Sequence, residues 1–160
     1  MGALITFLLA ALLPIGQGGA SATNQAMKIS AERTDFDRNE GVVMFDGGVF
    51  VEYDDYDMAS DKMFVFLNGT NELSSIVAVG NVAVTNGNRV GLCATAKYFH
   101  KSGEMEMYGT KDSPAKLLDG GKDGNAVEGS KIKFWLDSEQ VEVENSRITV
   151  GNKEGVKIYE

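Results

Sequence analysis

Ala94-Thr95-Ala96-Lys97-Tyr98-Phe99 is the stretch on which the fold reading turns, because the same short word returns along the chain. It appears as Ala31-Glu32-Arg33-Thr34-Asp35-Phe36, as Ala59-Ser60-Asp61-Lys62-Met63-Phe64, and as Gly129-Ser130-Lys131-Ile132-Lys133-Phe134. Phe64, Phe99 and Phe134 follow one another at intervals of 35 residues, while the first interval, from Phe36, is 28. A small residue, a polar pair and an aromatic returning at a period between about 20 and 50 residues mark a repeat architecture. Each copy leads to a turn rich in Gly, Asn or Asp and then to a strand-like run. The expectation is an all-β protein of stacked antiparallel hairpins that build one continuous interior.

The rest of the chain agrees with that class. Its 160 residues suffice for one domain, with 43% hydrophobic and 24% charged residues, a globular balance. Gly is abundant at 19 and Pro scarce at 2, which suits many tight turns and uninterrupted ladders. Val42 to Phe45 and Val49 to Tyr53 read as strand, parted by Asp46-Gly47-Gly48 at a bulge or corner. Asp54-Asp55-Tyr56-Asp57 reads as a polar connection. Asn68-Gly69 and Asn86-Gly87 are hairpin signals, and Gly80-Asn81 separates two further strand runs. Glu104 to Tyr108 and Gln140 to Glu144 alternate charged or polar with apolar residues, the period-2 mark of a half-buried strand. Ala115 to Leu118 and Arg147 to Val150 read as strands, and Val156 to Tyr159 as one more. No convincing amphipathic helix interrupts the series, so the expected shape is a sandwich or barrel-like roll.

The N-terminus is a separate object. Leu4 to Leu13 is apolar but too short to span a bilayer, Pro14 follows, and small residues lead to Ala20-Ser21-Ala22. That pattern predicts a signal peptide over 1–22 and a single mature domain over 23–160. No Lys or Arg precedes the apolar run. An uncleaved membrane anchor and a buried core helix are the alternatives.

The net charge of −8 argues against a nucleic-acid partner, which needs a basic face. Cys93 is the only cysteine, so the chain can form no internal disulfide, and its apolar context makes it a small buried hydrophobe. Catalytic motifs are missing. His100 is the only histidine and stands without a companion ligand. Asp54, Asp55, Asp57 and Asp61 are dense in carboxylates but lack the spacing of a calcium loop, so a solvated loop is expected and no metal or cofactor. Asn68-Gly69-Thr70 fits a glycosylation sequon and, better, a turn.

What stands out is apolar. Phe45, Phe50, Phe64, Phe66, Phe99, Phe134 and Trp135, with Met58, Met63, Met105 and Met107, are many large soft side chains for a small β-domain. They either fill a core or line an open groove for an acyl chain.

Four elements in order carry a resemblance. Ile29-Ser30-Ala31 leads through a turn to the run from Val42 to Val51, and Met58-Ala59-Ser60-Asp61-Lys62-Met63 follows. Ala78-Val79-Gly80-Asn81-Val82-Ala83-Val84 comes next, then Val127 to Ile132 with Val141-Glu142-Val143. Over about residues 27–150 the chain resembles the OstA-like (LptA) family of periplasmic lipopolysaccharide transport. The resemblance implies a twisted, open β-jellyroll whose interior shelters lipid A acyl chains on their way to the outer membrane. It also implies a non-enzymatic role in the periplasm. Edge strands would pair with other jellyroll proteins of the transport bridge, or head-to-tail with further copies. On this reading the lining is expected from Phe45, Val49, Val51, Phe64, Phe66, Ile76, Val82, Val84, Phe99, Phe134 and Leu136. The rival readings are an edge-assembling β-repeat protein without lipid and a membrane-tethered jellyroll component resembling LptC.

Overall fold

The computed structural model describes residues 26–120, 124–138 and 140–151. The expected signal peptide and the strand expected over 156–159 lie outside the described residues.

The described chain is twelve antiparallel strands in one open sheet, with no helix among the described residues. They are β1 (Lys28–Ser30), β2 (Arg33–Asp37), β3 (Val42–Tyr53), β4 (Tyr56–Leu67), β5 (Leu73–Asn86) and β6 (Arg89–Phe99), then β7 (Glu104–Tyr108), β8 (Ala115–Asp119), β9 (Asn125–Gly129), β10 (Lys131–Trp135), β11 (Val141–Glu144) and β12 (Arg147–Thr149). The four longest, β3 to β6, belong to two half-sheets at once. One half runs β2-β3-β4-β5-β6-β7-β10-β11, the other β1-β3-β4-β5-β6-β8-β9-β12. The sheet never closes on itself. β1 and β2 form one free edge, β11 and β12 the other.

A corner separates the halves, and its chemistry explains the repeated word. Register shifts fall between Asp46 and Val49 on β3, Ala59 and Lys62 on β4, and Val79 and Val82 on β5. Gly47 (φ 84°) and Gly80 (φ 83°) turn the backbone through the left-handed region there. Each also lies under an acidic side chain from the word. A Cβ on Gly47 would stand 2.6 Å from Glu32 Oε2, and one on Gly80 would stand 2.5 Å from Asp61 Oδ2. Asn81 Nδ2 donates to Asp61 Oδ2 at 2.8 Å, and Glu32 N donates to Gly47 O at 3.0 Å. In the last copy Ser130 N donates to Glu144 O at 3.0 Å, and Asn145 Nδ2 donates to Ser130 Oγ at 2.9 Å. The word therefore marks every second passage of the chain through the corner. The returning passages carry Gly47-Gly48, Gly80-Asn81 and Asn145, all at positive φ.

The turns follow their residues. Gly87 (φ 56°) is the first central residue of the two-residue loop between Asn86 and Arg89, as a type II′ turn requires. The Asn68-Gly69 connection is longer than a two-residue hairpin. Asn68 Oδ1 accepts from Thr70 N and Glu72 N, both at 3.0 Å, and Asn71 takes the positive φ. The connection expected over residues 54–57 shrinks to Asp54-Asp55, with Tyr53 and Tyr56 paired across it.

Inside the fold, the inner faces of the two halves meet. Met63, Met107, Ile132, Val49, Val65 and Val82 are fully buried there. Outside, cross-strand ion pairs cover the first half: Lys131 Nζ lies 2.9 Å from Glu106 and Lys133 Nζ 3.4 Å from Glu104.

Candidate functional site

The candidate site is the apolar trough between the half-sheets, floored by the corner and opening at the strand tips. Phe45, Val49, Val51, Ile76, Val82 and Val84 all point into it and are buried. Phe134 and Leu136 pack against them, half-buried, from β10 and the turn after it. Phe64, Phe66 and Phe99 are placed elsewhere. The registers Met44↔Phe64, Val42↔Phe66 and Ser75↔Phe99 put them on the outer face, back to back with Val65 and Tyr98.

That correction has one cause. On β4 the inward positions run Met58, Ser60, Met63, Val65 and Leu67, and on β6 they run Gly91, Cys93, Ala96 and Tyr98. At the corner each of these strands takes an odd step, which exchanges its two faces. On β3 and β5 the steps from Phe45 to Val49 and from Ala78 to Val82 are even, so the phase survives. Counting by two through the corner is therefore right for β3 and β5 and wrong for β4 and β6.

Residues absent from the sequence-based lining complete the walls. Met27, Tyr53, Tyr56, Met58, Met63, Tyr98 and Met105 surround a cavity of about 40 Å³. A second cavity of about 80 Å³ lies between Gly91 and Leu117 below and Asn86, Arg89, Trp135 and Gln140 at its rim. Gly91 matters for shape: a Cβ there would lie 2.6 Å from Met107 Sδ. Tyr53 and Tyr56 were readable only as a facing pair across the Asp54-Asp55 turn. Met63 needed the phase change.

The trough's polar atoms are few. Tyr98 OH contacts His100 Nδ1 at 3.4 Å, and Tyr56 OH donates to the Leu136 carbonyl at 3.3 Å. Burial pushes the Tyr98 phenol up to about 12, with the nearby Tyr53 and Asp137 adding to the shift. Burial likewise raises the Cys93 thiol to about 11, against the pull of backbone hydrogen bonds at Tyr108 and Thr95. A neutral phenol and a neutral thiol suit an apolar ligand and supply no nucleophile at neutral pH. The four aspartates do not converge: Asp54 and Asp55 form the hairpin turn, Asp57 is the second residue of β4 on its outer face, and Asp61 holds the corner.

The inner face reaches the free edges still apolar. Cross-strand pairing places Phe36 opposite Val43, Val141 opposite Phe134 and Ile148 opposite Val127. These edge residues remain 49%, 44% and 65% exposed. At these three positions the trough meets the sheet edge with apolar side chains.

A family model described as LptA/(LptD N-terminal domain) LPS transport protein matches residues 28–151. Among solved structures, the fold is similar to that of LptH from Pseudomonas aeruginosa, described as the LptA homologous periplasmic component of the conserved lipopolysaccharide transport device. The TM-score is 0.60 at 16% identity, over 85% of this chain and 89% of that one. No curated protein matches the sequence.

Proposed function

The chain belongs to the LptA/(LptD N-terminal domain) family of LPS transport proteins, and from that premise we propose that it is a non-enzymatic module of a periplasmic lipopolysaccharide bridge. Acyl chains lie between the half-sheets while the sugar headgroup stays in water at the mouth. Burial of hydrocarbon, at ~25 cal/mol per Å², supplies the affinity. Copies or other jellyroll proteins continue the trough by pairing with the free edges, β1 and β2 on one side and β11 and β12 on the other. Unpaired edges are otherwise a liability, and here they serve as the joint.

The observation that carries this reading is the largely apolar inner face that reaches both exposed edges, through Phe36, Val141 and Ile148. A face that ends in half-exposed hydrophobics is one that another surface completes.

One observation favours the second reading, an edge-assembling β-protein without lipid. Cavities of about 80 and 40 Å³ are below the roughly 300–1,000 Å³ of ordinary ligand sites. On the first reading the methionines and tyrosines of the interior move aside for the ligand. Mass spectrometry of lipids extracted from the natively purified protein decides between them. Stoichiometric lipopolysaccharide supports the carrier, and a lipid-free protein that still polymerises supports the rival.

A further inference from the structure

The two cavities of the trough adjoin, and only Tyr56 and Val84 belong to both linings. Val84 is buried mid-strand on β5, and its branched Cβ leaves it little freedom. Tyr56 is half-buried and is the first residue of β4, beside the Asp54-Asp55 turn. Its hydroxyl crosses from one half-sheet to the other and donates to Leu136 O at 3.3 Å. Among the described residues this is the one side-chain hydrogen bond that ties the halves together away from the corner.

We propose that Tyr56 is the gate of the trough: its ring separates the two cavities, its hydroxyl latches the mouth, and an acyl chain runs through only once Tyr56 releases Leu136 and turns outward. The inference rests on the lipid-carrying reading above. Three features suit the role. The latch is a single neutral hydrogen bond of 3.3 Å, longer than the usual O–H···O range of about 2.5–3.0 Å, so release is cheap. Leu136 lies at the mouth, where water can replace the lost donor, so opening leaves no buried carbonyl unpaired. A phenol can present its ring to hydrocarbon and its hydroxyl to water in either position. While latched, the ring keeps the empty interior in two compartments, each too small for a lipid tail.

The test has a lipid-free arm and a lipid arm. In a Cys93→Ser background, spin labels at Asn88→Cys and Ser138→Cys report the width of the mouth from opposite halves. The Tyr56→Phe protein, which keeps the ring and loses the latch, should show a longer or broader distance distribution without any lipid. An unchanged distribution overturns the latch. In the second arm a fluorescent fatty acid is mixed with unlabelled protein. Tyr56→Phe should take it up about five-fold faster, the worth of one neutral hydrogen bond, and Tyr56→Ala faster still. Equal rates in all three proteins, with folding verified by circular dichroism, overturn the gate. If no protein takes up the probe or purified lipid A, the carrier reading fails, and the spin-label distances still decide whether Tyr56 holds the mouth shut.

Discussion

At Cys93 and Tyr98 the trough's dryness becomes a measurable quantity. Both groups have folded-state values above their ordinary ones, about 11 and about 12 against 9.0 and 10.0. The folded protein thus retains protons that the unfolded chain releases. Their contribution to stability is complete below pH 9 and is lost as pH rises from 9 to 12. The thermal midpoint should fall across that window, and in Cys93→Ser the fall should begin nearer pH 10. Glu106 works in the opposite direction. Burial favours its neutral form, but hydrogen bonds from Lys131 and Tyr108 outweigh it and hold the carboxyl below the usual range. Its contribution is present above the ordinary carboxylate value and lost as pH falls through the lowered one. Glu106→Gln should flatten the acid side of the stability profile by at most about 1 kcal/mol, because water still reaches the pair. Chemical denaturation at pH 3 to 7 checks it.

The strands show which part of this was legible in sequence and which was not. Glu104 to Tyr108 reads as a strand from alternation alone, because it begins and ends on one side of the corner. Phe45, Val49 and Val51 lie on the inner face, where a count by two puts them, because β3 crosses the corner with an even step. Phe64, Phe66 and Phe99 lie on the outer face instead, because β4 and β6 cross with odd steps, and a period-2 count carries no record of a bulge. The repeated word was visible as a word, but its meaning needed the pairing: it is the outgoing half of a corner whose returning half is Gly47-Gly48 or Gly80-Asn81. Gly80→Ala tests that meaning. The added methyl meets both the left-handed backbone and Asp61, and should cost about 1–3 kcal/mol by thermal denaturation. The same change at Gly69, which has open space and no positive φ, should be close to neutral.

For the whole molecule, two exposed edges and one apolar inner face are what the proposed edge-to-edge assembly would use. A proline at Val141, the first residue of β11, removes an amide that points away from β10 on the free side of that edge strand. Val141→Pro should shift the protein toward monomer in sedimentation velocity while its β spectrum persists. What governs lipid contact is the distinction between inside and outside. It separates Val51 and Tyr98 from Phe64 and Phe99, which their mean hydropathy cannot do.

A photo-cross-linking amino acid placed at each of those four positions, followed by exposure to lipopolysaccharide, measures that distinction. Labelling at 51 and 98 with none at 64 and 99 is the result expected for a lipid held between the half-sheets. Labelling confined to 64 and 99, or none anywhere, would contradict it.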